Sequence, residues 1–255
     1  MRMKRGLQLA PNQSTKGGLY HVVSRVVWRE FIFGEEEKAF FYGLMRKYEA
    51  FCGVEVQSYC LMSNHFHLLV RVPPRPAVIM NDEEFFKRLQ LVYSDDVTAP
   101  MKKIIVGLRE EAKGLDADGQ EDIEKIVANM KEPYLNRMWD LSEFIKVIKQ
   151  RFTRWYNRTN GKCGTLWEGR FKSQLIQGGH AARKTAAYID LNSIRAGMVD
   201  DPKDYRWCSY GEAVAGGKLA QKGLLAVMNK RDMGIKVEED KSLSKKDAMA
   251  RYRVL

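Results

Sequence analysis

Ser58-Tyr-Cys-Leu-Met-Ser-Asn-His-Phe-His-Leu-Leu-Val-Arg-Val72 is the stretch on which the reading of this chain turns. In an extended strand successive side chains alternate faces, so His65 and His67 point the same way while Phe66 points to the opposite, apolar side. The run that follows, Leu68 to Val72, is rich in branched residues and suits a strand with little solvent on either face. Half of the chain's four histidines therefore stand side by side on one strand, a beginning for a metal site that needs further ligands from elsewhere. Taken bare, a His-x-His is more often a strand with two hydrogen-bonded histidines, so the rest of the chain must decide.

At 255 residues the chain can bury a substantial core. Hydrophobic residues at 45% and charged residues at 29% are a globular composition. Forty-three Lys and Arg against 32 Asp and Glu leave a net charge of +11, which favours a polyanionic partner. The charge is uneven: residues 81–143 hold 15 acidic and 9 basic side chains, a balance of −6, so everything outside that segment sums to +17. Cys52, Cys60, Cys163 and Cys208 have no paired close spacing, which argues against a zinc knot and against a secreted disulfide framework. The N-terminus has no apolar segment suited to export, and no apolar run approaches the roughly 20 residues that span a bilayer. The expectation is a cytoplasmic protein with reduced cysteines and no membrane partner.

Working outward, residues 1–18 are basic and contain Gly, Pro and Ser, a loose arm able to follow a phosphate backbone. β-Branched and aromatic residues predict a first strand over 20–28, and Glu35-Glu-Glu opens a helix that Gly53 stops. Strands follow over 54–62 and 65–72. Amphipathic helical stretches fill about 81–131, with breaks expected at 94–100 and 114–119, and a further helix covers 141–156. A Gly-punctuated loop at 164–172 leads to a short strand at 173–177, and a helix runs from His180 to about Arg195. Tyr205-Arg-Trp-Cys-Ser-Tyr210 reads as an aromatic turn that packs back on the core. Strand, helix, strand, strand, helix, strand, helix is a split βαβ plan, so the predicted class is α+β with a ferredoxin-like antiparallel sheet. The expected organisation is an arm at 1–18, one domain over 19–212 with a helical insert at about 81–140, and a helical tail at 213–255.

Tyr188-Ile-Asp-Leu-Asn192 supplies a second constellation, because residues four apart are neighbours on one helical face. Beside two histidines, Asn192 offers an amide oxygen as a third metal ligand and Tyr188 a phenol able to attack a metal-held phosphate. A free phenol has a pKa near 10, so attack needs a base or a cation nearby. Without further information an ordinary half-buried tyrosine is the simpler account of Tyr188, since the chain has 11 of them.

Five ordered blocks change that balance. Tyr20-His-Val-Val-Ser-Arg25, Leu61-Met-Ser-Asn-His-Phe-His-Leu-Leu-Val70, Gly164-Thr-Leu-Trp-Glu-Gly-Arg-Phe-Lys-Ser173, Ala187-Tyr-Ile-Asp-Leu-Asn-Ser-Ile-Arg-Ala-Gly-Met-Val199 and the 205–210 block together resemble the single-tyrosine HUH transposases (IS200-like), in particular the REP-associated tyrosine transposase group. The resemblance spans about residues 19–212. It implies the HUH nuclease version of the ferredoxin-like plan, with His65, His67 and Asn192 as metal ligands. It also implies Tyr188 as the nucleophile that forms a 5′-phosphotyrosine link to single-stranded DNA, freeing a 3′-hydroxyl, with no need for ATP. The implied substrates are short imperfect hairpins with a flanking guide sequence, and the implied cofactor is Mg²⁺ or Mn²⁺. Ser63 and Ser193 stand where family members often have Pro, and the acidic insert is an addition that bears on how a hairpin docks.

Between Phe144 and Lys172 eight basic residues face one acid, Glu168. Arg151, Arg154, Arg158, Lys162, Trp167, Arg170 and Lys172 are the predicted DNA-binding residues, cations on phosphates and aromatics on unpaired bases, with Phe152 expected in the core. Three readings stand: a metal-dependent enzyme that nicks and joins single-stranded DNA, a non-catalytic hairpin-binding module for DNA or RNA on the same fold, and a metallophosphodiesterase that uses water. Monomer and homodimer are equally open.

Overall fold

A computed structural model describes residues 17–77, 80–229 and 244–253 of the chain. Most of the basic arm and residues 230–243 of the tail, on which sequence expectations were placed, lie outside the described residues.

Alternating apolar residues build β1 (Gly18–Arg25), after which α1 (Glu35–Cys52) starts with three glutamates at its positive end. It closes at Gly53, whose φ of 66° is the left-handed conformation that ends a helix. β2 (Glu55–Leu61) and β3 (His65–Val72) form a hairpin across the Ser63-Asn64 connection. α2 (Asp82–Gln90), α3 (Asp95–Ala112) and α4 (Ala117–Leu135) make up the insert, and α5 (Leu141–Asn160) and β4 (Lys172–Leu175) complete the plan. The sheet order is β2-β3-β1-β4 with every neighbouring pair antiparallel. That order is the ferredoxin-like one, as the alternation of elements predicts.

One face of the sheet carries Val22, Phe66, Leu68 and Val70, which are buried with Phe41 and Met45 of α1 and Phe144, Ile148 and Phe152 of α5. Phe41 stands 4.8 Å from Phe66 and 5.5 Å from Phe152 between ring centres, so Phe152 is a core residue as expected. The opposite face carries the histidines. It is covered by α6 (His180–Asp190), α8 (Ser209–Val214) and α9 (Lys218–Met228), while α10 (Lys245–Tyr252) packs on α9. Helix α9 lies so close to β2 that a Cβ on Gly223 would come within 2.4 Å of the Gln57 carbonyl oxygen. The aromatic turn does pack back: Leu61 donates its N–H to the Trp207 carbonyl (2.9 Å) and the Tyr205 hydroxyl donates to the Leu61 carbonyl (2.6 Å), which covers the free edge of β2.

Three boundaries differ from expectation. β1 ends at Arg25 rather than near 28, because Trp28 and Arg29 both take a φ of 57° that no strand allows. Pro100 lies inside α3 instead of breaking it; at the sixth helical position it forfeits only the bond to the Asp96 carbonyl. The helix expected to reach Arg195 is divided at Leu191 into α6 and a single turn, α7 (Asn192–Arg195).

Candidate active site

The site is built on β3 and β1. Val23 pairs with His67 and His21 with Leu69, so His21, two residues along, lies diagonally across from His67 on the same face. Its Nε2 is 3.0 Å from His67 Nδ1 and the two rings stack at 5.3 Å, while His65 meets His67 edge-on at 5.0 Å. Three imidazoles thus form a row where the sequence reading placed two. Alternation along β1 alone puts His21 on one face, but which face meets His67 depends on strand register, which the sequence does not display.

Hydrogen bonds select the tautomers. Asn64 Nδ2 donates to the Arg29 carbonyl (3.0 Å), so Asn64 Oδ1 is the acceptor for His65 Nδ1–H (2.7 Å). His65 Nε2 is left with its lone pair. For His67, donation from Nδ1–H to His21 Nε2 is the arrangement that likewise leaves Nε2 free to ligate. Burial pushes the His65 pKa down to about 4, with Arg25 adding repulsion. It pushes His67 down to about 3, with His65, His21 and Arg25 adding theirs. Both rings are therefore neutral near pH 7, the form that binds metals.

Helix α6 brings Tyr188 over this row. Its ring lies edge-on 5.9 Å from His67 and 6.0 Å from His21, it is 41% exposed, and the Arg195 guanidinium sits 5.3 Å over its face. Arg195, and Arg25 opposite His65 in the β1–β3 register, are cations at the site that the sequence reading did not single out. Asn192 is buried, and its Nδ2 donates to the Tyr188 carbonyl (2.8 Å) and the Ile189 carbonyl (3.2 Å), leaving Oδ1 as its ligating atom. Among the described residues no three His, Cys, Asp or Glu side chains form a metal-holding group. A cation here needs a donor of another type, and an amide oxygen together with two neutral imidazoles is a donor set that suits a divalent ion such as Mn²⁺ or Mg²⁺. Between Tyr188 and Asn192, Asp190 anchors the helix: its carboxylate accepts from Ser209 Oγ (2.8 Å), the Tyr210 N–H (3.1 Å) and the Tyr252 hydroxyl (2.5 Å). Burial pushes its pKa up to about 6 against the pull of those bonds.

The basic band runs along α5 and the following loop. Arg151, Arg154, Arg158, Lys162, Arg170 and Lys172 are all exposed, and α5 and the loop enclose an open cleft of about 880 Å³ walled by Lys146, Arg154, Arg170 and Phe171. Trp167 needs correcting. It is only 7% exposed, packs against Phe33, Phe66 and Phe152, and donates Nε1–H to Thr153 Oγ1 (2.9 Å), so it is a core ring that forms the cleft floor rather than a free stacking surface. Lys149 bridges the two sides by donating to the Gly169 carbonyl (2.8 Å). Burial pushes its pKa down to about 8.

Comparison with known proteins bears on the family and the fold. Residues 14–104 match the family model described as transposase IS200 like, a stretch that holds His21, His65 and His67 but ends well before Tyr188. Over 95% of its length the chain also superposes on 96% of a solved chain described as the REP-associated tyrosine transposase bound to a REP hairpin, with a TM-score of 0.50 and 14% identity. Among curated proteins no sequence matches. The family model thus matches 91 of the chain's 255 residues, and the structural likeness shows the fold over nearly the whole chain. Among the described residues no helix is long and apolar enough to cross a membrane.

Proposed function

We propose that the protein is a metal-dependent enzyme that cleaves and rejoins single-stranded DNA next to hairpins through a 5′-phosphotyrosine intermediate. The observation that carries this is the exposed Tyr188 ring 5.9 Å from His67, whose neighbour His65 is likewise neutral, with Asn192 one helical turn from Tyr188. His65 Nε2, His67 Nε2 and Asn192 Oδ1 would hold the ion. A divalent ion bound there supplies positive charge to the phosphate oxygens as negative charge gathers on them.

The chain's own residues do the rest. Tyr188 attacks phosphorus with its phenolic oxygen, the phosphorus–O3′ bond breaks, and the departing 3′-oxygen ends as a hydroxyl while the phenol proton leaves to solvent. Arg195 over the Tyr188 ring and Arg25 beside His65 stabilise the phenolate and the crowded phosphate. Rejoining is the reverse attack by another 3′-hydroxyl, with the phosphodiester energy kept in the tyrosyl ester. The basic cleft along α5 holds the hairpin, and the structural neighbour named above is itself bound to a REP hairpin.

The test is incubation of labelled hairpin single-stranded DNA with Mg²⁺ or Mn²⁺, followed by denaturing electrophoresis. A protein band carrying label is expected from the native chain and is lost in Tyr188→Phe with binding intact. Binding without an adduct would make the protein a hairpin-binding module, and free cleaved product without an adduct would make it a water-using phosphodiesterase.

A further inference from the structure

Trp28 and Phe31 are 85% and 81% exposed, the most exposed large apolar side chains among the described residues. Their neighbours are not: Val26, Ile32 and Phe33 are buried. The loop is held in this shape. Val26 donates its N–H to the Asn64 carbonyl (2.9 Å), Val27 to the Leu166 carbonyl (2.9 Å) and Phe33 to the Ser63 carbonyl (3.0 Å), so the segment is clamped between the β2–β3 connection and the basic loop. Within the clamp Trp28 and Arg29 both take left-handed backbone, which bulky residues adopt only when their surroundings impose it. A conformation that turns two rings into solvent at that cost points to a ligand for the rings.

We infer that the 27–31 loop is a stacking platform for unpaired nucleobases of the DNA strand that enters or leaves the active site, an inference that rests on the function proposed above. Position argues for this occupant. Asn64 contacts both ends: its Oδ1 fixes the tautomer of His65 while its Nδ2 holds the Arg29 carbonyl, so the platform adjoins the candidate metal ligand through one side chain. Charge argues for it too. Arg29 is exposed between the two rings, Arg25 precedes the loop opposite His65, and Lys162 of the basic band reaches Glu30 at 3.8 Å. Exposed aromatic faces interleaved with cations are the means by which proteins grip single strands without regard to sequence. A membrane surface or a second copy of the chain would use the apolar rings but has no need of their placement beside His65.

The test compares three fluorescein-labelled probes on the full chain: a blunt hairpin, the same hairpin with an unpaired dT6 tract, and the same tract made abasic. The native protein is expected to bind the dT6 hairpin on the order of tenfold more tightly than the blunt or abasic probe. Trp28→Ala with Phe31→Ala should erase that preference while leaving blunt-hairpin affinity unchanged, and Trp28→Phe should retain most of it. Both positions face solvent, so the variants will fold. A double variant that still prefers the dT6 tract, a native protein with no preference, or a change in sedimentation in place of a change in DNA binding overturns the inference. Loss of the tyrosine adduct from native protein with the ring-dependent preference intact would instead overturn the proposed enzyme and leave the platform standing.

Discussion

His21 stacks on His67, and its Nε2 is the partner of His67 Nδ1. An imidazole without a defined partner samples both tautomers and rotates, and removal of such an orienting neighbour typically costs 10- to 100-fold in metal affinity. His21→Ala should therefore weaken Mn²⁺ binding by roughly that factor, measured by titration calorimetry on the full chain, with Asn64→Ala acting through His65 in the same way. Unchanged affinity in His21→Ala would make His21 a packing residue only. At this scale the sequence was informative about what is adjacent along the chain and silent about what is adjacent across it. His65 and His67 declare themselves by a spacing of two. His21, Arg25 and Arg195 join them only through β1–β3 register and the placing of α6, and neither leaves a mark in local sequence. Trp167 misled for the related reason that an aromatic in a basic Gly-rich loop looks the same whether its ring turns inward or outward.

The element that matters most is α6, because it must hold Tyr188 within reach of a site on a different layer. Its apolar packing residues are Ala182, Ala186 and Ile189, and a further tie to the domain is Asp190, whose carboxylate gathers donors from α8 and from Tyr252 of α10. Asp190→Ala leaves those buried donors unsatisfied and should cost about 2–4 kcal/mol, read from the urea midpoint. The carboxyl also sets a pH dependence with a definite sign. Its folded pKa is raised from the ordinary 3.8 to about 6, so between those values the native state keeps a proton that the unfolded chain has released. Asp190's contribution to stability is thus greatest below about pH 4 and declines as pH rises to about 6. Asp190→Asn should remove that decline, and a native–variant difference that does not change across the window would refute the assignment. The elements themselves were largely legible: periodicity and glycine stops locate α1, β2, β3 and α5 to within a few residues. The ends of β1 and α6 were not, since a left-handed pair at Trp28 and Arg29 and a helix break at Leu191 are tertiary choices with no glycine to announce them.

Across the whole molecule, charge is sorted by layer. The insert's cations are largely spent within it: Arg109 bonds Asp82 and Glu124 (both 2.9 Å), Lys131 pairs with Asp82, and Lys125 with Glu121. What the insert presents to a polyanion is its surplus of acid, which repels DNA from that side and favours approach along the basic band of α5 and the 164–172 loop. Within that band Lys146 is tied to Glu143, whereas Arg154, Arg158 and Arg170 are exposed and stand in no ion pair described here, the condition for meeting phosphates. Each phosphate neutralised releases counterions, so log K for a hairpin should fall linearly with log salt at about 0.7 to 0.9 per contact. Changing Arg154, Arg158 and Arg170 together to Ala should therefore reduce that slope by about 2 to 3 and weaken all hairpins alike, whatever their sequence. The same slope measured for charge-neutralised insert glutamates, Glu110→Gln with Glu111→Gln, should rise slightly or stay put, because acid at a distance opposes association without touching a phosphate. An unchanged slope in the triple variant would move the DNA off α5 and with it the direction from which a strand reaches Tyr188.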